Sequence, residues 1–357
     1  MKKDVRSIVP YAREIKPAPG SLVEKGRLNF GCFDRAIRVV NPLDAKRVFG
    51  FPLPRFIQNM RLKEWQAFQL GNDECFILAV IYNQKPACLV QFIFCDRKTG
   101  RMTKYEKMVP SWRASVPSSL GASRARYITQ GFRLDFHNRL DRGRIFIDVA
   151  IDRRKAMPAL YGHFEALHEE GEVRPLVVSL PFAENRGMYS HKCLMPMQGT
   201  LCIGERTIQF SRADSFAIVD DHKGYYPYVM RYDWVTGAGM SAKGLTGFNL
   251  TDNQVRDKER YNENCLWLGR KLYPLPPVAF SRPDGVNGEW IIRDRYGMVD
   301  LVFRPVAANT LKLNLIALKT DYYGPFGDFS GVIMPYPGKK IRVNGYWGMG
   351  EQKYLRG

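Results

Sequence analysis

From Leu22 onward the chain is written almost wholly in short apolar runs separated by polar turns, the pattern of successive β-strands. CFILAVIYN (75–83) is apolar and β-branched, and ACLVQFIFCDRKTGRMTKYEKMV (87–109) reads as two strands joined by a polar turn at 96–100. RYITQGFRLDFHNRL and GRIFIDVAID alternate polar with apolar residues at period two on either side of a turn at 141–143. Alternate residues of a strand face the same side, so runs of this kind line a core with one face. One interruption is expected between Lys155 and Gly171, where Ala, Leu and Glu gather and helix propensity is high. Its histidines, His163 and His168, are five apart and do not share a helix face, which excludes the i, i+4 zinc arrangement and leaves them as surface residues.

The expected organisation has three parts. Residues 1–20 are polar and Pro-punctuated, an arm ordered by docking. Residues 21–185 form a first β lobe, closed by VRPLVVSLPF (173–182), and AENRGMYSH (183–191) is the connection between lobes. Residues 186–357 repeat the theme with KCLMPMQGTLCIGERTIQF, SFAIVDD, EWIIRDR, MVDLVFRP and TLKLNLIALKT. Each half carries enough strands for an antiparallel barrel or a strongly curved sandwich, so the fold class is all-β.

With 357 residues, 45% of them hydrophobic, the chain can bury one large core or two medium ones. Its 54 Lys and Arg against 35 Asp and Glu give a net charge of +19, which invites a polyanion partner. The distribution argues against nucleic acid: nine Lys or Arg between Arg124 and Lys155 are interleaved with Asp135, Asp141, Asp148 and Asp152. A scattered cationic surface suits an anionic membrane surface or an anionic substrate instead. The seven cysteines are an odd number without a CxxC pair, and the N-terminal residues contain no apolar leader, which points to reduced thiols and a cytoplasmic protein. His191, Cys193 and Cys202 lack the spacing of a zinc site, and Gly237, Gly239, Gly244 and Gly247 form no phosphate or dinucleotide fingerprint. No metal and no cofactor are therefore expected. There is no GxSxG elbow either.

Proton-transfer groups and aromatic rings crowd together from Ser215 to Trp234, SFAIVDDHKGYYPYVMRYDW. Asp220, Asp221 and His222 follow the apolar AIV directly, at the end of a buried strand where side chains line a barrel mouth. In a strand that continues through Asp221 the two carboxylates face opposite sides, so only one points inward. Lys223, Tyr225, Tyr226, Tyr228, Tyr232 and Trp234 add a cation, phenols and ring faces to hold a ligand. Glu263, beside Asn262 and Asn264 in YNENCLW, supplies a second carboxylate. Asp220 or Asp221 as acid, with His222 or Glu263 as partner, could run general acid/base chemistry if burial pushes their pKa values apart. Asn264 joins the tyrosines and Trp234 as a substrate-binding residue.

These residues also carry a resemblance. The chain resembles the domain-of-unknown-function 2804 family from about Gly26 to its C-terminus, on GRLNFG (26–31), RLKEWQAFQLGND (61–73), MPMQGTL (195–201), SFAIVD (215–220) with a following Gly and PY, TGFNL (246–250), NEN (262–264) and DFSG (328–331). Where the wider family has Trp-Gly-Arg-Gly after the Asp, this chain has Asp221, His222, Lys223 and Gly224, which marks a subgroup; Asp220 and Gly224 carry over. The family is similar to two-lobed, lipocalin-like proteins that include carotenoid hydratases, tocopherol cyclase-like enzymes and Diels-Alderase-like proteins. The resemblance implies two calycin-like lobes with a cavity at or between them, and chemistry on lipophilic molecules without a redox cofactor. Three functions stay open: a cofactor-independent hydratase, cyclase or isomerase acting on a lipophilic or amphipathic small molecule; a non-catalytic carrier of a lipid or acidic metabolite; and a glycoside hydrolase using a carboxylate pair.

Overall fold

The computed structural model describes residues 11–154, 156–168, 174–314 and 319–356. The alternating runs become two large sheets, antiparallel apart from a short parallel pairing of Ile15–Lys16 with Gly31–Phe33. The first sheet has 14 strands; its main path runs from the Met102–Pro110 edge through Ala87–Asp96, Cys75–Asn83, Lys63–Gly71, Phe216–Gly224 and Arg186–Ile203, and on to the Ala122–Thr129 edge. The second has 10 strands, with Val229–Ser241, Tyr346–Arg356, Lys319–Tyr336 and Val299–Asn314 at its centre. Each sheet curls into a half-barrel, giving the expected all-β, two-lobed architecture.

Period two explains where the cores sit. Phe68, Ile77, Phe92, Phe136 and Val219 fill the hollow of the first sheet, and Trp290, Phe303 and Phe329 that of the second. A third apolar cluster joins the lobes, with Phe76, Leu194 and Ile218 from one sheet against Trp267, Phe326 and Met349 from the other. Strands in the middle of the first sheet are therefore covered on both faces. Phe216–Gly224 is buried at all nine positions, which is why its sequence runs apolar without a break before the acids begin.

Several expectations change. The 96–100 and 141–143 turns form as read, with Gly100 and Gly143 at φ of 68° and 69°. The expected helix does not: Leu160–Leu167 is a strand paired with Arg144–Ile151 and Arg186–Ile203. Leu160, Phe164 and Ala166 point into the core while Tyr161 and His163 face outward, so burial overrides helix propensity. The one α-helix among the described residues, Arg55–Arg61, lies where strands were expected. The segment 183–191 is no lobe connection but a tight hairpin between Leu176–Ala183 and Arg186–Ile203. First-sheet hydrogen bonding continues to Gly224, and the second sheet begins at Val229. Residues 1–10 of the arm, residues 155 and 169–171 of the helix expectation, Val173, and 315–318 of TLKLNLIALKT lie outside the described residues.

Two 18-residue strands need a glycine to bend. Gly199 (φ 154°) lies just past the point where Arg186–Ile203 ends its pairing with Phe216–Gly224, at Pro196, and begins that with Leu160–Leu167, at Met197, and Gly331 (φ 127°) sits within Lys319–Tyr336. A Cβ at either site would lie 2.2–2.3 Å from a backbone oxygen of the neighbouring strand.

Candidate active site between the lobes

Three adjacent strands of the first sheet place the charged groups. Lys192, Asp220 and Ala67 are direct cross-strand neighbours, as are Ser190, His222 and Trp65 in the next row of the same face. Residues 218, 220 and 222 share parity, so the side that carries Ile218 into the inter-lobe cluster carries Asp220 and His222 there too. Glu263 arrives from the loop before Cys265–Leu268 of the second sheet. Its carbonyl oxygen accepts from Asn249 Nδ2 at 2.6 Å, and Asn249 Oδ1 accepts from Trp234 Nε1 at 2.7 Å.

The result is a buried quartet. Lys192 Nζ lies 2.6 Å from Asp220 Oδ1 and 3.6 Å from Glu263 Oε2. His222 Nε2 lies 3.0 Å from Asp220 Oδ1 and 3.6 Å from Glu263 Oε2. The 3.0 Å contact has ion-pair length without the alignment of a hydrogen bond, and Glu263 Oε2 has no hydrogen-bond partner among the described residues. Trp65 stacks on the imidazole with centroids 4.4 Å apart and planes 8° from parallel, while its Nε1 approaches Asp220 Oδ2 at 3.4 Å. His222 Nδ1 meets the Tyr226 hydroxyl at 3.2 Å, and the Lys192 ammonium sits 5.2 Å from the Trp234 ring centroid.

Charge pairing decides the protonation states. Burial alone would raise Asp220, but the Lys192 ammonium and His222 hold it far below the usual carboxylate range. Glu263 is lowered against the same burial penalty by Lys192 and His222. Burial would depress the two cations; Asp220 foremost, then Glu263, raises Lys192, and Asp220 raises His222. Burial pushes the Tyr226 phenol well above its ordinary value, so it keeps its proton. With His222 protonated, two cations and two anions leave the cluster neutral.

The quartet forms one end of a cavity of about 380 Å³ between the lobes. Trp65, Ala67, Val80 and Tyr82 make one wall, and Met230, Tyr232, Trp234, Met349, Glu351 and Lys353 the other. Sequence candidates Asp220, His222, Glu263, Tyr226, Tyr232 and Trp234 all line it. The others do not. Asp221 and Lys223 pair with each other at 2.8 Å on the opposite face, beside His191, which burial pulls down to about 3. Burial raises Asp221 there, so the raised carboxylate lies away from the cavity. Tyr225 is packed under the arm-side cluster, donating to Pro42 O and accepting from Gln58; Tyr228 is 54% exposed; Asn264 is spent on Thr251 N and Pro276 O. Of the sequence candidates for acid and partner that line the cavity, Asp220 is held ionised and His222 is raised above its ordinary value.

Lys192, Trp65, Glu351 and Lys353 were not among the sequence candidates. The available signal for Lys192 was a lone cation inside the strand HKCLMPM, which requires a buried anion as its neighbour.

Among the described residues, no helix is long and apolar enough to cross a membrane. Residues 12–356 match the family described as Domain of unknown function (DUF2804). No curated protein matches by sequence. Among solved structures, the chain is similar to CghA in its crystal structure with Sch210972, at a TM-score of 0.54 and 12% identity, covering 83% of this chain and 89% of that one. It is similar also to kievitone hydratase from Nectria haematococca, at a TM-score of 0.52 and 12% identity, covering 82% and 88%. At that identity the likeness is one of fold.

Proposed function

This chain belongs to the domain-of-unknown-function 2804 family, and from that premise we propose that it is a cofactor-independent acid/base enzyme, a hydratase, cyclase or isomerase, acting on a lipophilic or amphipathic small molecule between the lobes. The observation that carries this reading is the neutral buried quartet set against an aromatic-walled cavity. A carrier gains nothing from four ionised groups in such a place, where each costs several kcal/mol to desolvate. That one structure of similar fold is a hydratase, and another holds a small molecule, agrees with the reading.

The proton donor is Tyr226. Its O–H bond breaks toward a substrate carbon or oxygen, and the phenol is reprotonated from Nδ1 of the His222 imidazolium, 3.2 Å away. The Trp65 and Tyr226 ring faces, themselves stacked at 5.8 Å, stabilise the cation that forms. Glu263 Oε2 takes the departing proton, from an added water in hydration or from carbon in isomerisation or cyclisation. While the substrate is cationic the quartet carries one negative charge, and it is neutral again once Glu263 has taken the proton; release of that proton to water and uptake of one from water by His222 restore the starting state. Lys192 and Asp220 hold both partners in place. The glycoside-hydrolase reading is disfavoured, since its acid needs a raised carboxyl and both carboxylates of the quartet are lowered. The unpaired cysteines suit a reducing, cytoplasmic setting.

Native mass spectrometry with denaturing extraction, on wild type, Tyr226→Phe and Glu263→Gln, tests this. The expected result is a retained small molecule that differs chemically between wild type and variants, product against substrate. The same species at equal occupancy in all three would make the protein a carrier and overturn the enzyme reading; so would an empty cavity.

A further inference from the structure

Of the cations that line the cavity, Lys353 and the exposed Arg231 have no anion within ion-pair distance among the described residues, and Lys353 is the less exposed of the two. Lys104 pairs with Glu106 at 2.9 Å and Lys192 with Asp220, but among the described residues no carboxylate lies within ion-pair distance of Lys353. Its ammonium is instead held in a ring of aromatic faces: Tyr82 at 5.0 Å, Tyr232 at 5.7 Å and Tyr322 at 6.0 Å from the respective centroids. Tyr232 and Tyr322 are its direct neighbours on the strands to either side, and Tyr82 reaches it from the other lobe. The nearest acid on the same strand face, Glu351, is already engaged, accepting from the Tyr232 and Tyr322 hydroxyls at 2.6 and 2.8 Å. Those two bonds fix the rings whose faces cradle Lys353, and none of its three donors has a hydrogen-bond partner among the described residues.

The position matters as much as the charge. Tyr82 packs edge-on against Trp65 at 5.2 Å, and Trp65 stacks on His222. Lys353 therefore stands two rings from the imidazole, along a path walled by apolar and aromatic groups. Lys63, on the first-sheet strand that carries Trp65, is lowered to about 8 by burial first, then by Arg61, Lys85 and Lys353.

We propose that Lys353 is the anchor for a carboxylate on the substrate, which makes the substrate an amphipathic organic acid with its unsaturated body lying between Lys353 and the Trp65–His222 stack. This rests on the acid/base reading of the site and narrows its substrate class. A single ammonium in an aromatic ring fits one negative charge, and the rings of Tyr82 and Tyr232 give the adjoining carbon chain a flat apolar bed. Anchoring at this point would set which bond of the body reaches Tyr226, so Lys353 acts as a specificity-determining residue rather than as a member of the proton relay.

The test uses cis-parinaric acid and its uncharged methyl ester as fluorescent probes of the full-length protein. Wild type should bind the acid about tenfold more tightly than the ester. Lys353→Met, which keeps the apolar stem, should bind both equally, and Lys353→Arg should restore the preference. Equal binding of acid and ester by wild type, an unchanged preference in Lys353→Met, or no binding of either probe would each overturn the assignment. Near-ultraviolet circular dichroism on Lys353→Met, with the Arg variant, separates loss of the anchor from loss of the fold. Tyr226→Phe should keep the acid preference. If it does, while the retained species in the mass measurement is unchanged, the anchor stands and the enzyme reading falls; the converse pattern sinks the anchor alone.

Discussion

At the scale of single residues, the site is an exercise in opposing terms. His222 is the clearest case, because burial alone would hold it neutral and the Asp220 carboxylate beside it, with a smaller contribution from Glu263, raises it above 6.5. A raised imidazole contributes stability that is fully present below 6.5 and is lost as pH rises through its folded value. Asp220 has the opposite sign, contributing above 3.8 and losing that contribution as pH falls through its depressed value. The two overlap between those limits, so the quartet holds best in mildly acidic to near-neutral solution. An NMR titration of the five histidines should place one imidazole, His222, above 6.5 in wild type and below it in Asp220→Asn; a resonance that does not move would remove Asp220 as the cause. Much of this site could be read from the sequence: Asp220, His222, Tyr226 and Glu263 stood out by residue type, and the opposite facing of Asp220 and Asp221 followed from strand geometry. Which of the two faced a cavity did not, because Phe216–Gly224 is buried on both sides and its pattern marks no inside. Lys192 was hidden for the same reason, as a charge in an apolar strand whose partner lies 28 positions away.

At the scale of elements, strands with one wet face were legible and elements decided by distant contacts were not. Arg144–Ile151 alternates buried and partly exposed positions as its sequence does. Leu160–Leu167 lies in a stretch where Ala, Leu and Glu gather, yet it also carries Tyr161, Gly162, His163 and Phe164, and it became a strand because both flanks were open to pairing with extended neighbours. The long strands add a requirement of their own. Gly331, in the family motif DFSG, combines a φ of 127° with a Cβ position 2.2 Å from Asp300 O. Gly331→Ala should therefore cost roughly 1–3 kcal/mol from the backbone conformation, with the clash added to it. Urea unfolding would read this as a lower midpoint with an unchanged slope, while a loss within about 0.5 kcal/mol would mean that the strand can bend without it.

At the scale of the molecule, the surplus of cations is spread over both lobes; among the described residues that line the cavity, Lys353 and the exposed Arg231 lack a carboxylate within ion-pair distance, and Glu351 accepts from two tyrosine hydroxyls. The cavity is not a pit in one lobe. Its walls belong to two sheets, Trp65 and Tyr82 on one and Trp234 and Lys353 on the other, with Glu263 crossing from the second lobe to meet Lys192 and His222 of the first. Any molecule seated there touches both halves at once. Differential scanning calorimetry should then find the bound protein melting as one unit, stabilised by about 2.7 kcal/mol at a hundredfold excess over Kd, and the empty protein melting at lower temperature in a broader or divided transition. A ligand that raised the melting point of one component and left the other in place would show that it engages a single lobe. The seam that looks like the weakest line of the architecture is thus where the guest acts as keystone, and the protein would report its own occupancy through how its two halves come apart.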